Sequence, residues 1–212
     1  GRVAHAVNLG LEDLDLGGEL AARLGRPVRV ENDVNAAALG EYRYGAGEGY
    51  RSLVYMTVST GVAAGIVLEG RLWRGHHHAA GEVGYMIPDP VHIGRDWENI
   101  GCLELTSGGV GLARAWAARD GGTAAPARAV EVFDAARDGD PDAAALVRRA
   151  ADYLAQAVVA IGTILDPEVI VLGGSIVERQ PQVYDRICEV VAATLSFPPE
   201  VRYATLRGDA PI

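Results

Sequence analysis

The stretch VRVENDVNAAALGE, residues 28–41, runs from alternating valines straight into Glu-Asn-Asp and then into an alanine-rich segment. Asn32 and Asp33 therefore stand where an apolar strand is expected to give way to a helix, which in an open α/β sheet is the edge where ligands bind. A carboxylate there can accept the proton of a ligand hydroxyl, while the neighbouring amide holds adjacent hydroxyls through paired donor and acceptor bonds. Asn and Asp are also the favoured helix N-caps, and that plainer role accounts for the pair as well.

Two more carboxylates stand out. Glu82 lies between glycines in AAGEVGY, where neither helix nor strand propensity calls for it, and Glu104 lies in GCLE near the start of a helix, where the helix dipole alone would favour it. The turn STGVAAG offers the hydroxyls of Ser59 and Thr60, then Gly61 and closely spaced backbone N–H groups, a plausible cradle for phosphate that a tight hairpin explains equally. In EVIVLGGS, Gly173 and Gly174 let a flat ligand approach bare backbone. The triplet His76-His77-His78 suggests a metal, but consecutive histidines point in different directions and no Cys or carboxylate is spaced to complete a site. It reads as solvated loop.

Periodicity and punctuation place these residues on elements. Residues 17–25 read as a short amphipathic helix, 27–32 as a strand and 33–45 as a helix stopped by Gly45. SLVYMTVS and GIVLEG, joined by TGVAA, read as a hairpin. Residues 71–101, rich in Gly, His and Pro, read as a loop too long for a mere connection. Helices follow at 103–119, 127–137 and 142–165, then a strand at 168–176, a helix at 182–195 and a last strand in EVRYATL. Alternating strands and long helices make the class α/β, with a buried, mostly parallel sheet carrying a hairpin.

The bulk numbers narrow the function. With 212 residues, 49% of them hydrophobic, the chain can bury a substantial core. Nineteen Lys plus Arg against 28 Asp plus Glu give a net charge of −9, which opposes the counterion release that drives nucleic-acid binding. Any DNA role would need a segment outside this sequence. Cys102 and Cys188 form no disulfide framework or paired metal motif, and no signal peptide or bilayer-length apolar run is visible, so a cytoplasmic protein is expected.

The succession ENDVNAAALGE, STGVAAGIVLEGRLWRG, AAGEVGY, GCLE and DPEVIVLGGSI resembles the ROK family of repressors and sugar kinases over essentially the whole sequence. The resemblance implies an actin-like ATPase (ribonuclease H-like) fold, here with an incomplete first lobe, and a homodimer. Residues 1–30 would be the remainder of that lobe, 31–165 the sugar-binding lobe and 166–212 the return to the nucleotide side. It implies that Asp33 is the catalytic base toward a sugar hydroxyl attacking ATP, with Mg²⁺ neutralising charge. Asn32, Glu82 and Glu104 would bind the sugar, Ser59, Thr60 and Gly61 the phosphates, and Gly173 and Gly174 the adenosine side.

Three departures bear on the kinase role. The Asp-Gly-Gly-Thr phosphate loop of the family is missing, since DLGGEL at 15–20 has Glu for Thr and reads as the approach to a helix. The zinc motif is dismantled: Tyr85 replaces its histidine, Arg95 and Trp97 replace two cysteines, and Cys102 alone remains, so no structural zinc is expected. In zinc-bearing relatives that histidine also touches the sugar, which makes Tyr85 a substitute hydroxyl donor or a sign of altered sugar choice. Finally, Gly-Thr-Gly has become Ser-Thr-Gly, and Ala63-Ala64 replaces a glycine pair. On this pattern the expected function is the sugar-sensing domain of a ROK-type transcriptional regulator, with an ATP-dependent hexokinase as the alternative.

Overall fold

The computed structural model describes residues 1–6, 11–119 and 128–211. A two-stranded antiparallel hairpin, β1 (Val3–Ala6) and β2 (Leu11–Leu14), leads into α1 (Leu16–Leu24). The Asp15 carboxylate caps that helix by accepting the Gly18 amide at 3.2 Å, so DLGGEL is a helix entry, as its composition suggests. α2 spans Asp33–Tyr44 and ends at Gly45.

The main sheet follows from two continuous apolar runs, the composition of strands covered on both faces. β3 (Leu53–Val58) returns antiparallel as β4 (Val62–Leu68) through a turn confined to residues 59–61, and β5 (Arg71–Trp73) extends the antiparallel edge. β6 (Val169–Gly173) pairs parallel with β3, with Tyr55 opposite Val171, and β7 (Glu200–Tyr203) pairs parallel with β6. The order is β5-β4-β3-β6-β7, two parallel and two antiparallel pairings. The sheet is therefore mixed where a mostly parallel one was expected, because the hairpin extends into a third strand.

Helices cover both faces. On one side lie α3 (Cys102–Ser107), α4 (Gly109–Ala118), α5 (Ala129–Arg137), the long α6 (Pro141–Leu165), the short α7 (Ser175–Arg179) and α8 (Pro181–Thr194). α6 starts with Asp140 accepting the Asp142 and Ala143 amides and with Pro141 in its first turn, both favoured there. It buries Leu154, Val158 and Ile161 against Val54, Met56, Ile170 and Leu172, each worth about 1.5–3 kcal/mol of transfer energy. On the other face Ala37 and Ala38 of α2 pack with Leu53, Tyr55, Val67 and Val171.

Several sequence expectations need correction. Residues 27–32 are not a strand: Val28 and Val30 are partly buried at alternate positions, yet the segment forms no ladder with any described strand. The helix expected at 103–119 is two helices broken at Gly108, for a reason found in the site below. Residues 71–101 contain β5 and two 3-10 turns, Val83–Tyr85 and Pro90–His92. α7 and the β1–β2 hairpin were not anticipated, and the expected start of α5 at Ala127 lies outside the described residues.

Candidate functional site

Three segments converge on the first half of β4. α2 presses against it at Gly65, where a side-chain carbon would come within 2.5 Å of Ala38 Cβ and 2.8 Å of the Val34 carbonyl. The loop carrying Glu82 joins the same strand, the Ala64 amide donating to the Gly81 carbonyl at 2.7 Å. α3 reaches it through Glu104, whose Oε2 accepts the Val62 amide at 2.8 Å. Asp33, Glu82 and Glu104, distant in sequence, are thus gathered around one strand.

Asn32 serves as the α2 N-cap, its Oδ1 accepting the Asn35 amide at 3.0 Å, while its side-chain nitrogen has no partner among the described residues. Asp33 Oδ1 accepts the Val34 amide at 2.9 Å and Oδ2 has no such partner. Both residues are exposed, so capping leaves each with a free polar atom. Burial pushes the Glu82 carboxyl above its ordinary value, and the charges of Glu104 and Asp33 add to that push. Three acids, with no cation acting on Glu82 among the described residues, suit a ligand that brings many hydroxyl donors.

A fourth acid supports them. Arg74, just beyond β5, donates to Glu31 Oε2 through Nε at 2.8 Å and through a second guanidinium nitrogen, and Asn35 donates to Glu31 Oε1 at 3.1 Å. Burial would raise the Glu31 carboxyl, but these bonds and the Asn32 amide outweigh it and hold it below the usual range. Tyr85, expected either as a substitute hydroxyl donor or as a sign of altered sugar choice, has a partner within the protein. Its hydroxyl donates to the Asn99 carbonyl at 2.7 Å and so pins the loop.

Ser59, Thr60 and Gly61 form the β3–β4 turn, and here the break at Gly108 finds its cause. The Gly109 and Val110 amides, first of α4, donate to the Ser59 and Thr60 carbonyls at 2.8 and 3.1 Å, which an unbroken helix would forbid. A Cβ on Gly61 would fall 2.4 Å from Glu104 Oε2, so a side chain at residue 61 would push that carboxylate from its present place. Ala63 and Ala64 are paired inside β4 with Thr57 and Met56, so their methyls lie in the ladder and not in the turn. Ser59 Oγ stands 2.9 Å from Ser175 Oγ, which joins the turn to Gly173 and Gly174. Gly174 has φ +92, and a Cβ there would be 2.5 Å from the Val58 carbonyl, so bare backbone is required. Its amide donates to Glu178 Oε1 at 3.2 Å.

The sequence reading missed Glu31, Arg74, Ser175 and Glu178. Only Ser175, directly after the double glycine, carried a visible signal. A groove of about 790 Å³ between α5, α6 and the α7–α8 corner is lined by Phe133, Val147, Arg137, Arg148 and Arg179, and none of the clustered acids lines it. Among the described residues no group of three or more His, Cys, Asp or Glu could hold a metal ion. Where the resemblance places a zinc motif, the donors do not fit: Cys102 is the one thiol, and burial pushes it up, away from the thiolate a metal needs. No helix among the described residues is long and apolar enough to cross a membrane.

The mixed sheet, flanking helices and paired ligand loops define an actin-like ATPase fold of the sugar-kinase type. The chain belongs to the ROK family, whose pattern matches residues 1–209. It is 34% identical to the glucokinase of Halalkalibacterium halodurans, over 99% of this chain and 68% of that protein. It is 42% identical over 165 residues to the bifunctional enzyme NanE/NanK of Brucella melitensis, spanning 77% of this chain but 30% of that one. Among solved structures, the ROK hexokinase of Thermus thermophilus superimposes with a TM-score of 0.85 at 33% identity, over 95% of this chain and 68% of that one. A ROK transcriptional regulator homologous to the E. coli MLC protein gives 0.85 at 27% identity, over 100% of this chain and 56% of that one.

Proposed function

We propose that the whole protein is an ATP-dependent kinase of a hexose-class sugar, with Asp33 as general base. The observation that carries this reading is the gathering of Asp33, Glu82 and Glu104 at β4, with Glu104 hydrogen-bonded to Val62, the residue directly after the phosphate-type turn. Sugar hydroxyls would donate to the three acids and accept from the free side-chain nitrogen of Asn32. Asp33 Oδ2, unpartnered, would take the proton of the attacking hydroxyl as the phosphoryl group transfers. The missing side chains at Gly61 and Gly174 let the Glu104 carboxylate and the Val58 carbonyl close in on the turn, and α7, which begins beside the turn at Ser175, helps wall the groove containing Phe133 and the arginines, which suits a base and its phosphates. Mg²⁺, when bound, supplies charge neutralisation on the phosphates. The regulator reading drew on the retained sugar residues, the dismantled zinc motif and the missing Asp-Gly-Gly-Thr phosphate loop. Ala63-Ala64 lies within β4, so that milder change does not count against phosphate at the turn.

The second reading, a sugar sensor without turnover, keeps one specific support. Glu178 covers the Gly174 amide with a carboxylate, which opposes an anionic phosphate at that point. Sugar would then bias two arrangements of the protein through differential affinity, and any DNA contact would belong to a segment outside this acidic sequence.

A coupled ADP-release assay on the full-length protein against a hexose panel, with Asp33→Asn beside it, tests the choice. Sugar-dependent turnover that falls about 10²- to 10⁴-fold in the variant, with sugar affinity largely kept, is the expected result. Sugar binding by calorimetry with no ADP release from either protein would overturn the kinase reading and establish the sensor.

A further inference from the structure

The loop between the two sugar-side carboxylates is closed at its base and held at its tip by side chains to which nothing above gives a role. At the base, the Leu103 amide donates to the Met86 carbonyl at 3.1 Å, and the Tyr85 hydroxyl donates to Asn99 at 2.7 Å. Glu82 and Glu104 sit immediately outside this closure, so any splaying of residues 86–101 changes their separation. In zinc-bearing relatives a metal would order this stretch, and the donors for one are absent here.

In its place four side chains from two parts of the chain meet. Asp89, which caps the Pro90–His92 turn by accepting the Val91 amide at 2.9 Å, also accepts from the Tyr153 hydroxyl of α6 at 3.3 Å. His92 Nε2 lies 3.4 Å from the same hydroxyl. The His92 ring stands edge-on to Trp97 and to Tyr153, with centroids 5.2 and 5.9 Å apart and planes near 85° in both cases, the arrangement aromatic quadrupoles favour. Tyr153 is buried on the long helix α6, only 8% exposed, so the loop is fastened to a helix packed against the sheet. His92 Nδ1 and Trp97 Nε1 are buried without a hydrogen-bond partner among the described residues, which a cluster selected for stability alone would avoid. Trp97 occupies a position where the resemblance places a metal-binding cysteine.

We propose that Asp89, His92, Trp97 and Tyr153 form a metal-independent tether that fixes the 86–101 loop and thereby positions Glu82 and Glu104 for the sugar. This rests on the sugar-site reading above, but its physical core, the fastening of the loop to α6, stands without it.

The test is hydrogen exchange on the full-length protein, wild type against Tyr153→Phe, Trp97→Leu and Trp97→Phe, each with and without EDTA, followed by calorimetry with the hexose panel. Amides of residues 86–101 should exchange faster in Tyr153→Phe and Trp97→Leu, while α6 and the strands keep their protection. Trp97→Phe, which keeps a ring, should recover part of the effect, and EDTA should change nothing in the wild type. Sugar affinity should fall about 2- to 10-fold in Tyr153→Phe, the loss of one hydrogen bond's worth of positioning. Unchanged loop exchange in the variants, or a wild-type loop that opens in EDTA, overturns the tether. A loop that loosens with sugar affinity unmoved overturns the positioning role, and a loosened loop in a protein that binds no sugar overturns the sugar-site reading while the tether stands.

Discussion

Glu41 is fully buried at the far end of the helix that begins with Asp33. Its Oε1 accepts the Leu206 amide at 2.8 Å, and its Oε2 accepts the Ala46 amide at 2.8 Å and the Thr205 hydroxyl at 3.2 Å. No basic side chain pairs with it among the described residues. Replacing it with Ala strands two backbone amides, at about 1–3 kcal/mol each, whereas the exposed Thr205 can turn to water. Relief of the carboxylate's own desolvation offsets part of this, so a net cost of about 2–4 kcal/mol is expected. For a chain of this size that lowers Tm by roughly 4–16 °C. Glu41→Gln keeps the shape but turns an NH₂ toward one amide, and should cost about 1–3 kcal/mol. Thermal and urea denaturation of the full-length variants measures both. The reasoning is refuted if Glu41→Gln stays within about 0.5 kcal/mol of wild type, for then the amides are satisfied some other way.

Three smaller perturbations probe the site. Gly61→Ala places a methyl 2.4 Å from Glu104 Oε2 and should weaken sugar binding by about tenfold or more, with about 1–3 kcal/mol of stability lost at the Val62 amide, as calorimetry beside a denaturation curve would read; unchanged affinity would mean that Glu104 does not bind sugar from this position. Glu82 has a carboxyl raised in the folded state, so its contribution to stability is present below its ordinary value of 4.5 and lost as pH rises through the raised one; Glu82→Gln should therefore raise Tm at pH 7, with the advantage vanishing below about pH 4.5. Glu31 is shifted the opposite way, and its contribution is present above 4.5 and lost as pH falls through the lowered value; Arg74→Ala should cost about 1 kcal/mol or less at pH 7 in urea unfolding and nothing in strong acid.

Which parts of this protein could be read from its sequence follows from the range of the forces involved. The apolar runs of β3, β4 and β6 and the caps Asp15, Asn32 and Asp140 act within a few residues, so their elements were legible. Residues 27–32 alternate like a strand, but a strand exists only with a partner, and no local pattern reveals whether one is there. The break at Gly108 is likewise non-local: residues 103–119 suit a single helix until the carbonyls of Ser59 and Thr60 claim the amides at 109 and 110. Acids that needed only a loop or a helix start to be noticed, such as Glu82 and Glu104, were visible. Arg74 and Tyr153, whose roles depend on Glu31 and Asp89 across the fold, gave no signal.

On the sugar-site reading proposed above, the same non-local contacts would decide how sugar and phosphate chemistry communicate. Glu104 has one oxygen on the amide of Val62, the residue directly after the turn formed by Ser59, Thr60 and Gly61. A ligand that draws on Glu104 must share it with the turn, so sugar occupancy and turn geometry are linked, and by reciprocity a phosphate that reshapes the turn alters sugar affinity by the same factor. That linkage would serve a kinase as commitment and a sensor as readout. Retention of the site residues alone therefore does not separate the two readings, whereas the chemistry at Asp33 does.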